Sequence, residues 1–112
     1  MKSLMFTAGD EPVLVLAAGD RQVDARALAR ELGGGKARLA KPDIVIAVAG
    51  YAVGGVPPLG HRRKLRTLMD RALLQYETVY AAAGTPNAIF AVAPQRLREI
   101  TDAELTDATR QT

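Results

Sequence analysis

The chain has 112 residues, with 15 lysines and arginines, 12 acidic residues, one histidine and no cysteine. This length predicts one domain with a single core. The lack of cysteine excludes a disulfide framework, thiolate metal sites and a cysteine nucleophile, and one histidine excludes a site with two histidine ligands. We therefore expect a single globular domain that uses no metal and no cofactor.

The first half of the chain predicts a hairpin, a helix and one ambiguous segment. Residues 2–7 and 13–18 are apolar runs separated by a Gly-Asp turn, and the second run lacks polar alternation, which indicates a central strand buried on both faces. Apolar residues recur at helical spacing over 23–32, and three glycines end that helix. Residues 37–40 fit a short strand. Residues 41–48 fit a strand by their β-branched residues, or a helix by Pro42 at its first position.

The second half predicts short elements around an irregular loop at residues 50–60. A strand at 65–69 is followed by Asp70, which is expected to cap the next helix. The further elements are a short helix at 71–77, strands at 79–82 and 88–92, and a helix from Pro94 to about Ile100. The last dozen residues are expected to form a loosely held tail. Together these elements predict one α/β domain.

Two uncharged stretches, residues 44–60 and 78–95, are the candidates for membrane segments. Both contain glycines and prolines that a spanning helix does not tolerate in such number. Asp10 and Glu11 interrupt any apolar region of a signal peptide near the N-terminus. We therefore expect no membrane association and a cytoplasmic location.

The loop at residues 50–60 carries the most informative pattern, with four glycines and two prolines in eleven residues. Gly54 and Gly55 can adopt conformations closed to other residues and allow a ligand to approach main-chain N–H groups. Pro57 and Pro58 restrict the loop and hold those amides in place. Amides aimed in this way stabilise an oxyanion or bind a phosphate. A rigid structural loop is the alternative.

A basic run follows this loop. Arg62, Arg63 and Lys64 are consecutive, and Arg66 adds a fourth cation within six residues. Such a run attracts phosphates and makes binding sensitive to salt. The alternative is a solvated loop in an arginine-rich chain.

Three segments carry a family resemblance: Ala-Ala-Gly-Asp-Arg-Gln-Val-Asp at 17–24, Gly-Tyr-Ala-Val-Gly-Gly-Val-Pro-Pro-Leu-Gly-His at 50–61, and Gly-Thr-Pro-Asn at 84–87. They resemble the YbaK family, the aminoacyl-tRNA editing domain related to the editing insertion of bacterial prolyl-tRNA synthetase. The resemblance runs from Lys2 to about Ile100. It implies an α/β (α+β) fold with a mixed, mostly antiparallel β-sheet and flanking helices.

The resemblance implies an aminoacyl-tRNA deacylase that hydrolyses the ester bond of mischarged tRNA, such as Ala- or Cys-tRNA(Pro). The lysine of the family's Lys-Ser/Thr-Leu pattern corresponds to Lys2 in Lys2-Ser3-Leu4. The implied catalytic groups are Lys2, Gly54 and Gly55. Substrate binding is implied for Gly50, Tyr51, Val56, Pro57, Pro58, Gly60, His61 and Gly84. Contacts with tRNA phosphates near the acceptor end are expected from Arg62, Arg63 and Lys64, and a synthetase is a possible further partner.

The sequence also departs from the family pattern. Relatives usually carry a segment before the lysine strand that helps to form the amino-acid pocket, whereas this sequence starts one residue before Lys2. A truncated product, a gene start assigned too late and a degenerate member are the open explanations. Ala49 and Ala82 stand where many relatives carry Thr and Ser. The alternative function is a catalytically inactive module of the same fold that binds tRNA or a synthetase.

Overall fold

The computed structural model describes residues 1–111. Within them the chain forms nine strands: β1 (Lys2–Ala8), β2 (Glu11–Ala17), β3 (Arg21–Val23), β4 (Ala37–Leu39), β5 (Arg66–Asp70), β6 (Val79–Ala82), β7 (Ile89–Val92), β8 (Glu104–Thr106) and β9 (Thr109–Gln111). Five of them form the central sheet in the order β4-β1-β2-β5-β8, while β3 pairs with β9 and β6 pairs with β7. The central sheet is mixed, because β1 is antiparallel to β2 and β4 whereas β5 is parallel to β2 and β8. Four of the six strand pairs are antiparallel, as predicted.

Three α-helices flank the sheet: α1 (Ala25–Glu31), α2 (Pro42–Ala49) and α3 (Pro94–Thr101). The Asp24 carboxylate begins α1 by accepting hydrogen bonds from the N–H groups of Arg26 and Ala27. The ambiguous segment is a helix, with Pro42 in its first turn, where the missing N–H group is not needed. A 3-10 helix, Arg71–Gln75, follows Asp70. No helix within residues 1–111 has the length and apolarity needed to cross a membrane.

Strand β2 lies at the centre of the core and is buried on both faces, as its uninterrupted apolar run predicted. Leu14 and Leu16 pack on the face that carries α2, α3 and the loop at residues 50–61. Val13 and Val15 pack on the opposite face, against α1. The fold therefore places the loop on one side of the sheet and α1 on the other.

The prediction of a loosely held C-terminal tail is wrong. Strand β8 extends the central sheet by pairing with β5, and β9 pairs with β3. Thr106, Ala108 and Thr109 are buried in these pairings. Short polar stretches of this kind carry no apolar periodicity, so their strand conformation depends on partners that are distant in the sequence.

Candidate active site

The loop at residues 50–61 is closed at its base. Gly50 ends α2 in the left-handed conformation, with φ of 86°, and its N–H donates to the Ile46 carbonyl. The N–H of Arg62 donates to the Ala49 carbonyl at 2.9 Å. The two ends of the loop are therefore held next to each other at the end of α2. Gly50 was expected to bind substrate, and the structure places it at this helix end.

A tight turn forms the part of the loop that was expected to carry catalytic amides. The N–H of Gly55 donates to the Ala52 carbonyl at 3.0 Å, and Gly54 between them has φ of 89°, a conformation that favours glycine. The Gly55 amide is therefore used inside the loop. The Gly54 N–H has no hydrogen-bond partner in the part of the chain that the structure describes.

The loop packs closely against the turn that joins β6 to β7. A Cβ atom at Gly55 would lie 2.9 Å from the Gly84 carbonyl oxygen and 2.9 Å from the Thr85 Cα. A Cβ atom at Gly84 would lie 3.4 Å from the Tyr51 ring. Gly55 thus allows two main-chain segments to approach each other, and the structure brings Tyr51, Gly55 and Gly84 together as neighbours.

Two side chains brace the same loop from within. The Nε2–H of His61 donates to the Pro57 carbonyl at 2.6 Å, and the Tyr51 hydroxyl donates to the Gly60 carbonyl at 3.4 Å. Val56, Pro57 and Pro58, in the middle of the loop, are buried. His61 is therefore engaged in holding the loop's shape.

Lys2 lies at the start of β1, opposite Ala17, and is half-buried. Its ammonium group makes no hydrogen bond or ion pair within residues 1–111. Strand alternation places Lys2 on the sheet face of Leu4, whose side chain packs towards α1, and it places Ser3 on the face of the loop. The part of β1 that approaches the loop is therefore Ser3 and Met5, and Lys2 is adjacent to it.

A cavity of about 140 Å³ lies between β1 and the loop. Val53 and Val56, which flank the two central glycines, form its wall on the loop side. Ser3 is part of the wall on the strand side, and its hydroxyl oxygen is buried without a hydrogen-bond partner among the described residues. The sequence analysis did not select Ser3, although its position directly after Lys2 on an alternating strand was a signal that could have done so.

The basic run lies exposed beside the loop. Arg62, Arg63 and Lys64 form no ion pair within residues 1–111. Arg66 differs from them, because its guanidinium group donates two hydrogen bonds, of 2.9 and 3.1 Å, to the Glu104 carboxylate. Three cations next to the loop are thus available to a phosphate, and the fourth is held by β8.

The ionisable groups with shifted pKa values lie away from this loop. The N–H group of Ala27, which donates to Asp24, lowers the pKa of that carboxyl, with a smaller contribution from Arg26. A hydrogen bond from Arg71 lowers the pKa of Asp107. No three histidine, aspartate or glutamate side chains in the described part of the chain are grouped so that they could hold a metal ion.

Comparison with known proteins identifies the family. Residues 1–100 match the model of the aminoacyl-tRNA editing domain. The chain belongs to this family. The resemblance seen in the sequence, including its extent, is thereby confirmed, and the mixed sheet with flanking helices is the fold that it implied.

Individual proteins and one solved structure are similar to this chain over most of its length. YwhH of Bacillus subtilis is 35% identical over 99 residues, which are 88% of this chain and 62% of YwhH. EbsC of Enterococcus faecalis, proposed to be a Cys-tRNA(Pro)/Cys-tRNA(Cys) deacylase, is 24% identical over 94% of this chain and 65% of EbsC. The crystal structure of a protein proposed to be a trans-editing enzyme for prolyl-tRNA synthetase superimposes with a TM-score of 0.92 and 38% identity, covering 97% of this chain and 69% of that protein. The chain thus spans somewhat less than two thirds of the length of these two curated relatives.

Proposed function

We propose that this chain is an aminoacyl-tRNA deacylase, which hydrolyses the ester bond between a wrong amino acid and the 3′-terminal ribose of a tRNA. The observation that carries the proposal is the editing-domain match over residues 1–100. The deacylase activity proposed for EbsC, and the role in editing proposed for the structural neighbour, support the same reaction here. Ala- and Cys-tRNA(Pro) are the first substrates to test.

The reaction requires little from the protein beyond placing its reactants. Water adds to the ester carbonyl, the bond to the ribose oxygen breaks, and a free amino acid and an uncharged tRNA result. The oxyanion that forms needs a hydrogen-bond donor held in place beforehand. The unpaired N–H of Gly54, fixed in its turn, fits this role, whereas the Gly55 N–H is already bonded to Ala52.

Lys2 is the second group that we assign to the reaction. Its ammonium group has no partner within residues 1–111 and is positively charged at neutral pH, so it can hold the ester carbonyl oxygen or the terminal phosphate. Lys2 lies at the start of β1 next to Ser3, and Gly54 lies in the loop between Val53 and Val56; Ser3, Val53 and Val56 line the cavity between this strand and the loop.

Single-turnover deacylation of a panel of mischarged tRNAs tests the reaction and the lysine together. We expect hydrolysis of at least one member by the wild type, and a loss of about 100- to 1000-fold in Lys2→Ala, because an oxyanion donor is worth that factor. Lys36→Ala, which removes another exposed lysine far along the chain, is the matched control and should leave the rate unchanged.

Two results would contradict the proposal in different ways. If a folded wild-type protein hydrolyses no member of the panel, the deacylase proposal is wrong, and the alternative of a module that binds tRNA or a synthetase is favoured. If Lys2→Ala hydrolyses its substrate at the wild-type rate, the deacylase proposal is retained and Lys2 is not a catalytic group.

We further propose that Arg62, Arg63 and Lys64 bind phosphates near the acceptor end of the tRNA. Charge reversal in Arg62→Glu/Arg63→Glu should weaken tRNA binding and lower the slope of log Kd against log salt concentration by about one for each phosphate that the variant no longer neutralises. Arg26→Glu/Arg30→Glu makes the same change in net charge on α1, which lies on the other sheet face, and should leave the slope unchanged. An equal effect of both double variants would indicate a response to net charge alone.

A further inference from the structure

Two exposed tyrosines lie beside one cavity, away from the loop at residues 50–61. The chain has two phenylalanines, three tyrosines and no tryptophan. Tyr76 and Tyr80 are 43% and 54% exposed, and both line a cavity of about 160 Å³. A single exposed ring is common on protein surfaces, but two rings at one cavity form a surface on which a flat ligand can stack.

Local structure holds both tyrosines at the rim of this cavity. Tyr76 ends the 3-10 helix, where its N–H donates to the Leu73 carbonyl, and the chain bends before β6 begins at Val79. Burial alternates along β6, so that Val79 is buried and Tyr80 is exposed. Leu73 and Val79 form an apolar floor between the two rings. The rings are therefore presented by ordered elements that pack on the core.

The opposite rim is formed by the Gly-Asp segment at residues 17–24, which carries part of the family pattern. Ala18 and Gly19 line the cavity. Gly19 is exposed, and a Cβ atom there would have no heavy atom within 4 Å. The Gly19 N–H has no hydrogen-bond partner among residues 1–111. The cavity thus offers a ligand one main-chain donor in addition to the two rings.

This cavity lies on the same face of the central sheet as the loop. Leu73 and Val79 belong to the core cluster that also contains Val56 of the loop. Strand β6 runs from the cavity towards the turn at Gly84, which packs against the loop. Tyr80 and Gly84 are four residues apart, so their Cα atoms are separated by at most about 14 Å. A short flexible ligand can therefore extend from the loop to the tyrosines.

The dimensions of the cavity favour a flat ring over a protein partner. An apolar cavity of about 150 Å³ holds one benzene molecule, and this one is of about the same size. A stable protein interface buries about 800 Å² on each partner, far more than two rings provide. Proteins commonly bind unpaired nucleobases by stacking them on aromatic side chains. The 3′ end of a tRNA is unpaired and carries the aminoacyl ester.

Resting on the deacylase function proposed above, we infer that Tyr76 and Tyr80 stack on an unpaired base of the tRNA 3′ end and that the cavity between them receives this base. Stacking uses the face that every base has, so the contact tolerates different bases. It involves no charge on the protein and adds affinity without releasing counterions. Tyr76 and Tyr80 are thus binding residues that hold the strand while the ester lies at the loop.

The first measurement is Kd for uncharged tRNA at several salt concentrations. Tyr76→Leu and Tyr80→Leu, which keep an apolar side chain but remove the ring, should each weaken binding by about 10- to 100-fold. The slope of log Kd against log salt concentration should not change. Tyr76→Phe and Tyr80→Phe should bind as the wild type does, and Ile46→Ala, at an exposed position of α2, is the control. Wild-type Kd values in both leucine variants would overturn the inference.

A second measurement separates stacking from an indirect effect on the fold. Each unpaired nucleotide of the 3′ end is replaced in turn by one without a base, and Kd is measured for the wild type and Tyr80→Leu. With the stacked base absent, the wild type should bind as weakly as Tyr80→Leu. If Tyr80→Leu weakens binding of every such tRNA as much as that of the intact one, the tyrosine does not contact a base and the inference is wrong.

Both measurements use uncharged tRNA, so their outcome does not depend on hydrolysis. If the wild type hydrolyses a mischarged tRNA and the leucine variants bind and hydrolyse it equally well, the deacylase function stands and the inference is wrong. If no ester is hydrolysed but loss of either ring weakens tRNA binding, the stacking contact stands and the deacylase function is wrong. A folded wild-type protein that does not bind uncharged tRNA would overturn the inference.

Discussion

The Asp70 carboxylate and the Ser3 hydroxyl are both buried in the central sheet, but only one of them has hydrogen-bond partners. Asp70, at the end of β5, accepts hydrogen bonds from the N–H groups of Ala18 and Ala72 and from the Thr109 hydroxyl, and Arg21 lies 3.7 Å from its second oxygen. The hydroxyl of Ser3, at the start of β1, has no partner within residues 1–111.

The comparison separates a polar group that holds the fold together from one that contributes no hydrogen bond to it. The bonds of Asp70 join the residue that follows β2, the 3-10 helix that begins at Arg71, and β9 near the C-terminus. A buried charge is tolerated when it is paired and hydrogen-bonded in this way. The Ser3 hydroxyl joins no two segments, so its loss should spare the fold.

The largest expected effect on stability belongs to Asp70→Ala. The change leaves the Ala18 N–H and the Thr109 hydroxyl buried without an acceptor, and we expect the free energy of unfolding to fall by about 3–5 kcal/mol. Urea denaturation followed by circular dichroism measures it. Asp10→Ala, at an exposed turn, is the control and should change stability little. A small loss in Asp70→Ala would mean that water or neighbouring groups replace its bonds.

A smaller effect is expected for Thr109→Val, which keeps the side chain's shape and removes its hydroxyl. That hydroxyl donates to Asp70 and accepts from the Arg21 Nε–H. We expect the free energy of unfolding to fall by about 1–2 kcal/mol. In the Asp70→Ala background the same change should cost less, because the bond to Asp70 is already absent. Full additivity of the two changes would contradict a shared network.

The smallest effect, and one that does not destabilise, is expected for Ser3→Ala. Removing a buried hydroxyl that has no partner should leave the free energy of unfolding unchanged or raise it by about 1 kcal/mol. Thermal unfolding of the wild type and the variant without ligand provides the comparison. A clear destabilisation would show that the Ser3 hydroxyl has a structural partner, and the contrast with Asp70 would then fail.

Several elements could be predicted because their signals are local. The β1–β2 hairpin, the buried β2 and the loop at residues 50–60 follow from an apolar run, a Gly-Asp turn and a cluster of glycine and proline. Asp70 was expected to cap the next helix, and its carboxylate does accept the Ala72 N–H. The candidate residues of the loop were found by their family pattern, which is also local.

Other features required contacts between distant segments. Residues 41–48 fitted a strand or a helix, and the helix α2 is the outcome, in which Val45 and Ala49 are buried in the core with Leu14 of β2. The C-terminal strands were missed because β8 and β9 depend on β5 and β3 for their hydrogen bonds. Gly55 was expected to offer its amide, whereas a turn within the loop uses that amide and the packing against Gly84 explains the glycine.

The sequence by itself determined the family and the residues that we assign to catalysis and to tRNA binding. Those properties reside in composition and in short patterns, which need no partner elsewhere in the chain. Only the tertiary structure decided which of these residues have free polar groups. Whether an N–H or a hydroxyl is already bonded depends on what packs against it, and that is how Gly54 and Ser3 came to differ from Gly55 and Asp70.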